Sequence, residues 1–173
     1  RTLMDASGYE QGEIRLKELQ ELIQKYDGKG ERLTFNVGIH GLYTAGDKYV
    51  DKCIEFAQKT ELLVHIHFCE NSKEVNDIKE LHGAEPIQVL GSKFKNVKTI
   101  LAHSVKLTSD DIKTLAKLDV SISHCPVSNL KLGCGIAKIN EMLENNVNVS
   151  LGTDGQGSGS NLDLFEAMKF TAL

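Results

Sequence analysis

The stretch Val64-His65-Ile66-His67-Phe68-Cys69-Glu70 ends an apolar run in two imidazoles and a carboxylate, the groups that bind divalent metals and move protons. In a strand alternate side chains share a face, so His65 and His67 point the same way and Glu70 falls just past the strand end. Taken alone, a His-x-His is as compatible with ordinary strand polarity as with a metal pair. The other strand ends carry more weight. Apolar runs also finish at His40, His103, His124 and Asp154. The chain has only six histidines, and four of them stand at such ends. In a parallel α/β fold the carboxyl ends of the strands form the site, and in a (β/α)8 barrel they converge on one mouth. Imidazole nitrogen plus carboxylate oxygen is the donor set of catalytic zinc and related metals, and an unfilled ligand position leaves room for water.

The elements that must position these residues alternate along the chain. Spaced apolar residues predict a helix from Ile14 to Tyr26, stopped by Asp27-Gly28. A strand is expected over Leu33–Ile39, a helix from Asp47, a strand over Leu62–His67 and a helix over Ser72–His82. A helical turn near Ile87–Leu90 precedes a strand over Val97–Ala102. Thr108 or Ser109 can cap the next helix, with Asp110 and Asp111 in its first turn where the macrodipole favours them. Strands over Val120–Ser123 and Val147–Leu151 flank a loop after Pro126 and a helix around Ile136–Glu144. Asn161 or the preceding serine opens the last helix, after a Gly-rich loop that reads as a hinge rather than a phosphate cradle, since it carries no Walker lysine. Strand–helix alternation of this length predicts βαβ repeats and a parallel sheet covered by helices. The near-continuous apolar strands suggest burial on both faces. One domain over residues 1–173 is the simplest reading.

Composition narrows the function classes. At 173 residues, 40% hydrophobic and 25% charged, the chain has the make-up of one ordinary globular domain. A net charge of -4 and the lack of a Lys/Arg cluster leave no footprint for nucleic acid. No apolar run approaches the roughly 20 residues of a membrane span, and no signal-peptide pattern is present, so a cytoplasmic location is expected and no membrane partner. Cys53, Cys69, Cys125 and Cys134 form no Cys-x-x-Cys pair and read as reduced, buried thiols. The chain opens on Arg1 and stops at Thr171-Ala172-Leu173 within a helical pattern, so a trimmed chain is expected.

The motifs Gly38-Ile39-His40, His67-x-x-Glu70, Leu101-Ala102-His103, Ser123-His124-Cys125-Pro126-Val127-Ser128-Asn129-Leu130-Lys131-Leu132-Gly133 and Leu151-Gly152-Thr153-Asp154-Gly155 go further. With them the chain resembles the amidohydrolase superfamily, and within it the 5-methylthioadenosine/S-adenosylhomocysteine deaminases and related chlorohydrolases. The resemblance runs from Arg1 to Leu173. It implies part of a (β/α)8 TIM-type barrel, roughly strands four to eight with their helices. It also implies a metal, zinc or another divalent transition metal such as iron, bound by His67 and Asp154, with His103 holding the water or joining the ligands. Asp154 would receive the water proton and Glu70 would shuttle protons to the ring and the leaving amine. His40, Arg1 and Arg15 resemble substrate-contacting residues, and His65 reads as barrel scaffold. His124, Ser128 and Asn129 read as residues that shape the loop.

The expected substrate is a small purine nucleoside, with guanine deamination or chlorohydrolysis as the alternative. The family's first-strand His-x-His and strands one to three are absent from this sequence. The chain therefore reads as the C-terminal part of a longer enzyme, with open sheet edges, an uncovered apolar interior and self-association into a homo-oligomer expected. The reading from another class is a catalytically incomplete, metal-poor barrel fragment.

Overall fold

A computed structural model of the chain describes residues 9–27 and 33–173, the first three of them in backbone only. The elements follow in the order α1 (Tyr9–Tyr26), β1 (Val37–Ile39), α2 (Leu42–Ala45), α3 (Asp47–Thr60), β2 (Val64–Phe68), α4 (Ser72–His82), α5 (Pro86–Leu90), β3 (Thr99–His103), α6 (Ser109–Leu115), β4 (Val120–His124), α7 (Pro126–Lys131), α8 (Ile139–Glu144), β5 (Asn148–Leu151), α9 (Gln156–Gly159) and α10 (Leu164–Ala172). The five strands form one sheet in sequence order, every neighbouring pair parallel. Parallel neighbours in chain order require a crossover between each pair, which is what a run of consecutive barrel strands supplies.

The apolar side chains of the strands meet those of the helices in one core. Val64, Ile66 and Phe68 of β2, Leu101 of β3 and Ile122 of β4 pack in a cluster with Val50, Cys53 and Ala57 of α3, Ile112 and Leu115 of α6, and Met142 of α8. Burying side chains of this size is worth about 1.5–3 kcal/mol each. Phe68 meets Phe94 edge-on, with ring centroids 6.0 Å apart, a favoured aromatic geometry.

Burial on both faces of the strands, expected from the sequence, forms in β1 and over most of β3 but not in the other three strands. In β2 and β4 burial alternates, and β5 is half-buried or exposed throughout. The less buried positions are His65, His67, Ser121, Ser123, Asn148 and Ser150. Across β2, β4 and β5 the residues alternating with Val64, Ile66, Ile122 and Val149 are imidazoles, hydroxyls and an amide, while half-buried Ile100 of β3, paired in register with His65 and Ser121, adds an apolar position to the same face. Among the described residues β1 and β5 each pair on one side only.

Three further differences concern short elements. Residues after Pro126, expected as loop, form α7, whose proline sits at the first helical position where its missing N–H costs nothing. The Gly-rich segment after Asp154 forms α9 instead of an open hinge. The last helix is capped by Asp163, whose carboxylate accepts the N–H groups of Phe165 and Glu166, rather than by Asn161 or Ser160. At α6 the expected cap holds: Thr108 accepts the Asp111 N–H, and Asp111 returns to the Thr108 N–H in a capping box.

Candidate active site

The carboxyl ends of β1 to β3 and β5 deliver His40, His67, His103 and Asp154 to one mouth. A cavity of about 470 Å³ opens there, lined among others by His65, His67, His103, Cys125 and Asp154. The imidazoles of His67 and His103 stack with centroids 5.3 Å apart, and the His40 ring lies 5.0 Å from that of His67 in a tilted arrangement.

Backbone geometry contributes to this convergence. Cys69, His103, Ser104 and Asp154 all have φ between 51° and 69°, the left-handed region that costs a non-glycine residue energy. Such strain persists where surrounding structure over-determines it, and it concentrates at functional sites. Here it falls just past β2, at the end of β3 and just past β5. After β2 and β3 the turns are fastened by Ser104 N–H to Phe68 O at 3.0 Å and Lys106 N–H to Cys69 O at 2.8 Å.

Each ring is held by a hydrogen bond that fixes its tautomer. The His67 Nδ1–H donates to the His40 carbonyl at 2.6 Å, which leaves the Nε2 lone pair free. Buried His103 places Nδ1 2.9 Å from Asn129 Oδ1; since a carbonyl oxygen only accepts, the proton is on Nδ1 and the Nε2 lone pair faces outward. His40 Nδ1 lies 2.7 Å from Thr44 Oγ1, whose own hydroxyl donates to the Gly41 carbonyl. Thr44 therefore accepts, and His40 likewise presents a bare Nε2. Burial, reinforced by nearby His67, holds His40 below the usual histidine value, while Glu70 pulls it back up.

Asp154 completes the arrangement. Its Oδ2 accepts the Ser128 hydroxyl at 2.6 Å and its Oδ1 accepts the Gly155 N–H at 2.5 Å. Burial pushes this carboxyl up, but those hydrogen bonds and the neighbouring His103 and His67 outweigh it and hold it below the usual aspartate value. His103 Nε2 stands 4.0 Å from Asp154 Oδ2. With Nδ1 protonated, a lone pair and a carboxylate oxygen face each other, an arrangement that calls for a cation or a proton between or beside them. The donor chemistry therefore fits a divalent metal. The donor count falls short, because among the described residues no group of three or more His, Cys, Asp or Glu comes close enough to hold one. Cys125 does not make up the number: burial and the charge of Asp154 push its thiol up to about 11, so it lines the cavity uncharged.

Glu70 is half-buried, is not among the cavity-lining residues, and accepts a weak hydrogen bond from the Cys134 thiol at 3.7 Å. His65 lines the cavity wall, and burial followed by the adjacent His67 and His103 lowers its pKa. His124, the remaining strand-end histidine, instead lines a separate apolar cavity of about 300 Å³ with Leu130, Ile136 and Phe170. Arg15 is not among the cavity-lining residues; it sits exposed on α1, paired with Glu18 at 3.0 Å. Arg1 lies outside the described residues.

Sequence reasoning missed Thr44 and Glu74, and it read Ser128 and Asn129 as loop-shaping residues although they bond directly to Asp154 and His103. The signals were partial. Asn71-x-x-Glu74 has the spacing of a helix N-cap pair, and Ser128-Asn129 stood inside a recognised motif without a stated bond.

The profile of the Amidohydrolase family matches residues 2–173. The chain belongs to the amidohydrolase family. A 5-methylthioadenosine/S-adenosylhomocysteine deaminase of Caldanaerobacter subterraneus subsp. tengcongensis is 37% identical over 174 residues, which is 99% of this chain and 40% of that protein. One from Bacillus cereus is 35% identical over 175 residues, the whole of this chain and 40% of the relative. This amidohydrolase chain thus spans about 40% of the length of the curated relatives it matches. Among solved structures, an adenosine deaminase from Xanthomonas campestris with bound zinc superposes with a TM-score of 0.87 at 28% identity, over 92% of this chain and 36% of that one. A guanine deaminase from C. acetobutylicum with bound guanine gives a TM-score of 0.89 at 24% identity, over 98% of this chain and 42% of its own, a likeness that bears on the fold. Among the described residues no helix is long and apolar enough to cross a membrane.

Proposed function

We propose that the protein containing this chain is a metal-dependent hydrolytic deaminase of adenine-containing nucleosides, of the 5-methylthioadenosine/S-adenosylhomocysteine type. The observation that carries it is the opposition of the His103 Nε2 lone pair and the Asp154 carboxylate beside the free Nε2 of His67. The names of the relatives at 35–37% identity support the substrate class.

His67 and Asp154 would hold the metal, zinc or another divalent transition metal, with His103 beside or among its ligands. Such an ion supplies hydroxide at neutral pH by lowering the pKa of water from 15.7 toward about 7. The chain's own groups do the rest. Asp154, held ionised by Ser128 and Gly155, accepts the proton of the attacking water, and His103 orients that water. Glu70 protonates the ring nitrogen and then relays the second proton to the leaving amine. The water oxygen bonds to the ring carbon, the carbon–amine bond breaks, and the two water hydrogens end on the ring nitrogen and on ammonia. The product is the keto form of the ring. His40, with Nδ1 tied to Thr44, offers Nε2 as an acceptor to a substrate hydroxyl or ring N–H. Arg1 and Arg15 remain proposed contacts for the substrate's polar tail, and Arg15 must leave Glu18 to serve.

In the full-length protein, Asp154→Ala should lower ammonia release from methylthioadenosine and S-adenosylhomocysteine by more than about a thousandfold. A wild-type protein without activity on adenine, guanine and triazine substrates overturns the reading. Activity on guanine or a chlorotriazine alone would shift it to the alternative that shares these residues. Among the described residues β1 and β5 each leave one edge unpaired, which favours self-association of this chain on its own, and sedimentation of the isolated chain reads it.

A further inference from the structure

We infer that Glu74 is the positioning residue for the proton carrier Glu70, an inference that rests on the deaminase reading. Glu74 is 2% exposed, an unusual state for a carboxylate, since buried charges persist only when paired or fully hydrogen-bonded. No cation pairs with it in the described structure. Its partners are two consecutive backbone amides: Oε1 accepts the Cys69 N–H and Oε2 accepts the Glu70 N–H, both at 2.8 Å. Those amides bracket the left-handed turn at Cys69, φ 51°, that takes the chain out of β2.

The placement is not an ordinary helix cap. In a capping box the acidic residue at the third helical position returns to the N–H of the cap residue itself. Asn71 is the cap of α4 and accepts the Glu74 N–H at 2.9 Å, yet the Glu74 carboxylate passes over Asn71 to the two residues before it. One side chain thereby fixes the strained turn between the metal-ligand candidate His67 and the proton carrier Glu70. Near-attack chemistry is sensitive to displacements of about 1 Å, so the direction in which Glu70 leaves the backbone matters to proton delivery. Burial pushes the Glu74 carboxyl up, whereas the two amide bonds pull it down. A glutamine of equal size could accept from only one amide and would turn its NH2 toward the other.

The test is a double-mutant cycle in the full-length protein, with Glu74→Gln made alone and on a Glu70→Gln background. Alone, Glu74→Gln is expected to lower kcat for methylthioadenosine by about 10- to 100-fold with little change in KM. On the Glu70→Gln background it should cost nothing further, because the residue it positions has already lost its proton. Amide hydrogen exchange should show Cys69 and Glu70 losing protection while the amides of β3 and α6 keep theirs. An equal loss of kcat on both backgrounds, or unchanged protection at Cys69 and Glu70, overturns the inference. Should Glu74→Gln fail to fold, Glu74→Asp keeps both acceptor oxygens one methylene shorter and gives the same comparison. A wild-type protein that releases no ammonia from any purine refutes the deaminase reading instead, and the exchange pattern alone then decides whether Glu74 holds the turn.

Discussion

Asn129 shows how much of this site rests on side chains that would not touch a substrate. Its Oδ1 faces the protonated Nδ1 of His103 at 2.9 Å in a buried setting, and its Nδ2 has no partner among the described residues. The ring bond is the side-chain contact that compensates for burying the amide. Asn129→Leu removes it. The stranded ring N–H costs about 1–3 kcal/mol, and His103 loses the constraint that points Nε2 at Asp154. Thermal unfolding should fall accordingly, and under the proposed function turnover of the full-length protein should drop about 10- to 100-fold. Asn129→Asp, which keeps the acceptor, should retain more activity than the leucine variant. Equal activity in the two would show that the bond does not orient the ring.

The short elements past the strand ends position the residues that the strands alone cannot. α9 approaches Asp154 so closely that a Cβ built on Gly159 would stand 2.2 Å from the Thr153 carbonyl oxygen, a clash with backbone that no rotamer relieves. Lys131 of α7 donates to the Gly157 carbonyl at 3.0 Å, tying the same segment to the helix that carries Ser128. Gly159→Ala must therefore displace α9 or Thr153, and with it Asp154. We expect a stability loss of about 1–3 kcal/mol and more than tenfold lower turnover. Gly157→Ala, where a Cβ meets nothing within 4 Å, should change stability by less than about 0.5 kcal/mol. Denaturant midpoints of the two variants measure the contrast.

These segments also mark what could be read from the sequence. The five strands announced themselves as apolar runs, and Thr108 as a cap, because hydrophobic spacing and local hydrogen bonding are encoded over a few residues. The positive φ angles at Cys69, His103 and Asp154 were not legible, since no glycine signals them and distant contacts impose them. α7 and α9 were hidden by Pro, Ser and Gly, which locally read as loop. The polar open face was hidden by averaging His65, His67, Ser121 and Ser123 into their apolar neighbours. The strand-end residues were legible from type and spacing, whereas their orienting partners Thr44, Ser128, Asn129 and Glu74 needed the folded geometry.

The sheet and helices are also joined through a second, apolar cavity that makes the fold sensitive to acid. His124 ends β4 and is 4% exposed, in a lining it shares with Leu130, Ile136 and Phe170. Its Nδ1 has no hydrogen-bond partner among the described residues. Burial, with a smaller contribution from His103, lowers its pKa from 6.5 to about 4. The folded protein thus holds a neutral imidazole where the unfolded chain protonates near 6.5. Between those values the unfolded chain binds more protons, so stability rises with pH across the window. It is progressively lost as pH falls from about 6.5 through about 4, by linkage. Other groups titrate in acid too, and a comparison of variants separates them. Urea denaturation of the wild type and of His124→Asn at pH 7.5 and pH 4.5 should show a larger acid loss in the wild type, because asparagine has no proton to gain and the remaining groups contribute alike to both. Parallel losses would mean that the His124 ring already reaches water in the folded state, and that the cavity does not seal β4 against the helices.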